Sequence, residues 1–392
     1  MSDVRARLLH ATAHLDAPLA VIDGAALSAN ADDLVRRAGG LPVRVATKSV
    51  RVRAVIERAL ARQGFAGVMT YSLAESVWLA DLGVDDVLLA YPTVHASAVR
   101  DLVAEPHRLA AVTVMIDSVE ALDALDALAG PGHGPIQVCL DVDASLRPGA
   151  LGIHPVHLGV RRSPVHTPRQ ARTIAREIEQ RSGFDLVGLM FYDAQIAGLP
   201  DSSPAVRLLK RASAGELLAR RRAVVEAVSA HADLRLVNAG GTGSLEVAGA
   251  DPVVTELTAG SGLFMPTLFD GYDAFEARPA AHFALDVVRR PARDVATCFS
   301  GGWIASGPPG ASRVPRPVWP DGLELLGAEG AGEVQTPVKG RAARDLRLGD
   351  RVLFRHAKAG ELCERVDSVT IVGPDGSLET VPTYRGEGRT FG

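Results

Sequence analysis

The chain has 392 residues, 47% of them hydrophobic, and a formal charge of -4. That length exceeds an average domain and holds apolar material for a large core, although α/β barrels alone reach about 250 residues. The small net charge and scattered basic groups such as Arg36–Arg37 and Arg220–Arg222 argue against nucleic acid as a partner, and no apolar run approaches the ~20 residues of a membrane span.

The opening MSDVRARLLHATAHL lacks the apolar core of a signal peptide. Cys139, Cys298 and Cys363 are widely spaced, which argues against a disulfide scaffold and for a reducing compartment. A cytoplasmic enzyme is the expectation. The first predicted strand, Pro18–Asp23, is assignable to either of two domains.

From Val43 to Ser261, β-rich runs alternate with amphipathic helical stretches. The runs are Val43–Thr47, Gly67–Tyr71, Asp86–Tyr91, Val112–Asp117, Ile136–Asp143, Leu186–Tyr192, Leu234–Ala239 and Val253–Thr258. Between them the spacing predicts helices such as Val50–Arg62, Leu73–Leu82, Ala96–Ala104, Val119–Ala129, Thr167–Ser182 and Gly215–His231. Near-continuous apolar strands imply parallel pairing with both faces covered. Closing the repeat on itself makes a (β/α)₈ TIM barrel over 1–270, with a doubly wound open sheet as the alternative.

Past about Gly271 short strands are separated by Pro/Gly segments: Leu285–Val288, Asp294–Phe299, Gly332–Thr336, Arg351–Arg355 and Val366–Val372. This texture predicts a second, mainly antiparallel β domain over 271–392.

Lys48 stands where the first barrel run gives way to a helix, the junction at which barrels present chemistry. The turns Asn238–Ser244 (NAGGTGS) and Ala259–Gly262 (AGSG) follow the seventh and eighth runs. Glycines there let the backbone approach an anion, and phosphate sites in barrels are often built from those two loops. A lysine able to condense with an aldehyde, facing a phosphate site, points to pyridoxal phosphate held as a Schiff base.

The segments PLAVIDGAALSANADDL, VATKSV and GFAGVMTYSLAESVWLADLGVDDVLLAYP resemble the fold-type-III pyridoxal-phosphate enzymes of the alanine racemase-like fold. The AGGT turn at Ala239–Thr242 and the TEL…GS segment at Thr255–Ser261 are similar to the D-threonine aldolase and D-serine dehydratase branch. HAKAGELCE in the last domain resembles the "amino acid deaminase/aldolase" group. The resemblance implies that Lys48 carries the Schiff base and that Tyr192 stacks on the cofactor face. It gives Asn238, Gly241, Thr242, Gly260 and Ser261 to the phosphate, and Thr258 to the position facing the pyridine nitrogen. Arg147 would contact the cofactor's phenolic oxygen or the substrate carboxylate.

Members of that branch bind a divalent metal through a His-x-Asp or His-x-Cys pair in the β domain. Here His356 matches the first ligand and Lys358 takes the second position. An ammonium cannot ligate a metal. A strand would place both residues on one face, so a metal-free site using His356 and Lys358 is favoured over an altered site with His356 and Cys363 or Glu361. Glu329 and Glu333 are further carboxylates for the same region. The expected reaction is aldolase-type cleavage or formation of the Cα–Cβ bond of a β-hydroxy amino acid, with an amino acid and an aldehyde as small-molecule partners. Dehydratase, transaldolase, epimerase and non-catalytic cofactor carrier are the alternatives. The scarcity of β-domain tyrosines (Tyr272 and Tyr384) disfavours racemisation, and the resemblance implies a homodimer.

Overall fold

The computed structural model describes residues 2–149 and 156–391. After a helix at Ser2–Ala11, strand β1 spans Leu19–Asp23. The barrel follows as β2 (Val43–Ala46), β3 (Phe65–Thr70), β4 (Val87–Leu89), β5 (Val112–Ile116), β6 (Ile136–Asp141), β7 (Phe184–Phe191), β8 (Leu236–Ala239) and β9 (Glu256–Ala259). These eight strands close in chain order, and β9 pairs back onto β2 in parallel through Arg44↔Thr258. The expected barrel is the observed one.

A second, mainly antiparallel sheet uses β10 (Ala281–Ala292), β11 (Val295–Phe299), β12 (Arg316–Trp319), β13 (Glu324–Leu325), β14 (Gln335–Lys339), β15 (Arg351–Arg355), β16 (Ser368–Val372) and β17 (Leu378–Pro382). The leading strand β1 belongs to this sheet. It lies between β10, antiparallel, and β16, its parallel neighbour. The sheet is therefore assembled from both ends of the chain.

Several element bounds differ from the sequence reading, each for a local reason. The helix expected from Val50 starts at Arg53, because Thr47–Ser49 form a single 3₁₀ turn and Arg51 takes φ 53°. The last barrel strand starts at Glu256, not Val253, because Asp251 Oδ1 accepts from Val253 N (3.2 Å) and holds a turn before it. The helix expected from Gly215 begins at Pro204, where Ser203 Oγ caps it through Val206 N (3.3 Å). β12, β13 and β17 escaped the sequence reading; they are short and partly exposed, and Pro317 and Pro382 interrupt their pattern.

The barrel interior is layered. A floor of Met69, Leu88, Met115, Cys139, Met190 and Leu236 closes it beneath the C-terminal mouth. Beside that floor runs a buried polar column. Arg44 Nη2 pairs with Glu256 (2.7 Å) and Arg44 Nη1 with Asp86 (2.7 Å). Asn238 Nδ2 donates to Glu256 Oε1 (2.7 Å) and to Thr258 Oγ1 (2.8 Å). Every charge in the column has a partner, as burial requires.

Both domains meet at the Lys48 turn. Tyr384 N donates to Arg51 O (2.9 Å), and Arg53 pairs with Glu387 (2.8 Å). Arg51 also pairs with Glu364. Gly360, at φ +93°, packs so closely that a Cβ there would lie 2.0 Å from the Lys48 carbonyl oxygen.

Candidate active site

Those contacts set one cavity of about 440 Å³ at the C-terminal mouth of the barrel, lined by both domains. This volume lies in the range of small-molecule sites. Of the residues singled out from sequence, Lys48, Tyr192, Asn238, Gly241, Thr242, Thr258, Gly260, Ser261, Lys358 and Glu361 all line it.

Lys48 projects from the 3₁₀ turn after β2 and is exposed to the cavity. Its Nζ donates to Tyr91 Oη at 2.5 Å. Burial pushes the Tyr91 phenol up, but Lys48, Arg162 and Lys358 together hold it below its ordinary value. Burial likewise pushes up Tyr192, the residue after β7, against the opposing charge of Arg162.

The opposite wall is made by the turns after β8 and β9. Gly240 needs its φ of 80°. Gly260 lies so close to β2 that a Cβ would sit 2.4 Å from Ala46 O. Thr242 Oγ1 and Ser261 Oγ are 3.1 Å apart, and Gly262 N donates to Thr242 Oγ1 (3.0 Å). Paired hydroxyls on glycine turns make an anion-accepting wall. Asn238 lines the cavity, but its amide is committed to Glu256 and Thr258. It positions Thr258 directly.

The third wall comes from the β domain. Lys358 Nζ donates to Ser306 Oγ (3.0 Å), and Ser306 N donates to Glu361 Oε1 (2.9 Å). Burial lowers the Lys358 ammonium; Glu361 opposes that shift, and Lys48 and Arg313 add to it. His356 does not share this wall. β15 ends at Arg355, so 356 and 358 lie in a loop and the one-face expectation for a strand does not hold. The His356 ring is buried off the cavity, and neither of its nitrogens has a hydrogen-bond partner among the described residues. Burial, then the neighbouring Arg355 charge, lowers it to about 3.

Cys363 is also buried outside the lining, and burial pushes its thiol up to about 12. Among the described residues no three His, Cys, Asp or Glu side chains converge as a metal would require. The donor set implied by the resemblance is thus not assembled: its imidazole is enclosed, and an ammonium holds the second place. Glu329 and Glu333 are exposed and outside the lining.

Arg147 is placed in an adjoining pocket with His157 and Arg161, and its guanidinium pairs with Asp143. Arg162 and Arg51 line the main cavity, and Arg162 places its guanidinium carbon 5.5 Å from the Tyr91 ring centre and 5.0 Å from that of Tyr192. Sequence reasoning missed Arg162, Tyr91 and Ser306. The tandem Arg161–Arg162 was the available signal for the first, and the tyrosine ending the third barrel run for the second. Tyr272 donates to Ala197 O (2.9 Å) and Tyr384 packs edge-on to Trp78 at 5.1 Å; neither lines the cavity.

Comparison with solved structures finds the same architecture over nearly the whole chain. D-threonine aldolase from Filomicrobium marinum is 21% identical, with a TM-score of 0.78 over 95% of this chain and 96% of that one. D-threo-3-hydroxyaspartate dehydratase from Delftia sp. HT23 is 20% identical, with a TM-score of 0.74 over 94% and 97%. An alanine racemase-like protein from Idiomarina loihiensis is 18% identical, with a TM-score of 0.73 over 96% and 98%. At these identities the likeness establishes the fold. Comparison with curated protein sequences gave no match. Residues 22–267 match the family described as alanine racemase, N-terminal domain, for which pyridoxal phosphate is the expected cofactor; the chain belongs to that family.

Proposed function

We propose that this protein is a pyridoxal-phosphate-dependent lyase of aldolase type, cleaving or forming the Cα–Cβ bond of a β-hydroxy amino acid. One observation carries the reading: a cavity-facing lysine, a hydroxyl-lined glycine wall and a second lysine from the β domain all line one volume. The cavity residues fit the cofactor. Lys48 would hold its aldehyde carbon, Thr242 and Ser261 with Gly241 and Gly260 its phosphate, Tyr192 its ring face and Thr258 its nitrogen. When bound, the group supplies an electron sink for charge developing at the substrate α-carbon.

The chain's own residues do the rest. Lys358, its ammonium lowered and its Nζ held by Ser306, accepts the β-hydroxyl proton during cleavage and returns it during synthesis. Arg162, exposed at the cavity edge, binds the substrate carboxylate. The β domain keeps the Lys48 turn in place through Gly360. No metal enters these steps, because the donor set does not fit one. The active assembly is a homodimer acting on free amino acid and aldehyde in the cytoplasm.

The test is product analysis on D- and L-β-hydroxy amino acids, with and without EDTA. Glycine plus aldehyde, unaffected by chelation, is the expected result. Activity lost to EDTA and restored by Mn²⁺ or Zn²⁺ overturns the metal-free part. Ammonia plus a keto acid in place of glycine assigns the chain to elimination, in which Lys358 would protonate the departing hydroxyl. No turnover of any substrate favours a cofactor carrier.

A further inference from the structure

We propose that Tyr91 is the base that activates Lys48, taking one proton from its ammonium so that the amine can attack a carbonyl carbon. The inference rests on the reading of Lys48 as the cavity nucleophile. It names a partner for that lysine on the wall of the same cavity.

A lysine ammonium has no lone pair and must lose a proton before it can act. Its hydrogen-bond acceptor here is Tyr91 Oη, at 2.5 Å. Glu361 is the lone carboxylate among the described lining residues, and its Oε1 accepts from the Ser306 amide. Tyr91 is also where the cavity's positive charge converges. Lys48 Nζ lies 5.1 Å from its ring centre, Arg162 lies over the ring, and Lys358 faces it from the β domain; Tyr192, Arg51 and Glu361 line the same cavity, and Tyr71 and His95 share the adjoining hollow with it. Three cations about one phenol favour its phenolate, and its titration is shifted downward accordingly. When the phenol is ionised, Tyr91 Oη can take a proton from Lys48 Nζ along the hydrogen bond that joins them. Transfer within the pair yields a neutral amine.

The step balances. One ammonium proton passes to the Tyr91 oxygen, and the nitrogen lone pair forms a C–N bond to an aldehyde carbon. The C=O π pair moves to oxygen, which departs as water with the other two ammonium protons. No oxidant or reductant is required.

The test uses the full-length, cofactor-free chain. Lys48 is labelled with pyridoxal, trapped by cyanoborohydride and read by peptide mapping across pH. Tyr91→Phe is expected to slow labelling at neutral pH by about 10²-fold, the lower range for loss of a positioned base, and to move the pH midpoint upward. Wild-type minus Tyr91→Phe ultraviolet difference spectra should show a tyrosinate titrating below the ordinary ~10 of a phenol. Arg162→Gln should raise that midpoint while keeping the phenol, and carries the test if Tyr91→Phe fails to fold. Equal labelling rates and profiles in wild type and Tyr91→Phe, or a tyrosinate midpoint unmoved by Arg162→Gln, overturn the proposal. Labelling needs no turnover. A chain that shows these shifts yet converts no hydroxy amino acid keeps the Tyr91 assignment and loses the lyase reading.

Discussion

The barrel domain and the β domain both bury titratable groups in neutral form, but protons act on them in opposite directions. In the barrel domain burial pushes Glu75, Asp141 and Asp193 up to about 7 each, with the Asp117 charge adding to the shift at Asp141. In the β domain burial, then the Arg355 charge, lowers His282 and His356 to about 3. An acid whose folded pKa is raised contributes stability that is full below its unfolded value near 4 and is lost as pH rises through 7. An imidazole whose folded pKa is depressed contributes stability that is full above about 6.5 and is lost as pH falls toward 3. Between about pH 4 and 6.5 three carboxyls oppose two imidazoles, leaving the slope of one proton in favour of acid stability. The two domains therefore bias the pH response of stability in opposite directions.

The largest expected effect breaks the barrel side of this comparison. Arg44→Met leaves Glu256 and Asp86 facing each other's column without their shared cation. Removing one partner from a buried pair costs about 3–5 kcal/mol, to be read by urea denaturation at pH 7. A cost near zero would mean that the column is not the closed network its distances indicate.

A smaller effect isolates the β domain. His356→Leu removes a buried imidazole with two unpartnered nitrogens, outside the cavity lining. At pH 8 the change should be within about 1 kcal/mol, since the lost ring was neutral and unbonded. At pH 4 the wild type carries the cost of keeping the ring neutral and the variant does not, so the variant should gain about 2–3 kcal/mol there. The same variant bears on the metal question: a His356 that ligates a metal would lose activity with the substitution, whereas an enclosed ring would leave turnover near wild type.

What the sequence disclosed, and what it withheld, follows the same division. Lys48 and the turns after β8 and β9 were legible because strand-end lysines and glycine runs are local signals tied to strand count. The Asn238–Ser244 turn needed no knowledge of distant contacts. His356 and Lys358 were read onto one face because the apolar run ending at Arg355 gives no mark of where pairing stops; the strand ends one residue before His356 and the two side chains part. Arg162 lies at the far end of the loop from Arg147, and only tertiary packing brings it over Tyr91 and Tyr192. Ser306 comes from the Pro/Gly-rich stretch, where sequence pattern says little about position. Strand β1 stands well over 200 residues from its partner β10, a pairing that no local pattern encodes.

The smallest predicted effect sharpens the barrel side and touches the active site from behind. Glu75 is fully buried, and its Oε2 accepts from Tyr71 N at 2.9 Å. Arg51, which lines the cavity, acts on it electrostatically. Glu75→Gln keeps an acceptor for Tyr71 and removes the ionisation. Below about pH 4 Glu75 is protonated in the fold and in the unfolded chain alike, so the two proteins should have the same denaturation midpoint. At pH 8 the wild type must bury a carboxylate that the unfolded chain would hydrate, and the variant should be more stable by about 1 kcal/mol, well under the full linkage value. Destabilisation by Glu75→Gln at both pH values would show instead that Glu75 is ionised in the fold and paired with Arg51. In that case the barrel would keep two neutral acids, not three, against the two imidazoles, and the opposing slopes would cancel.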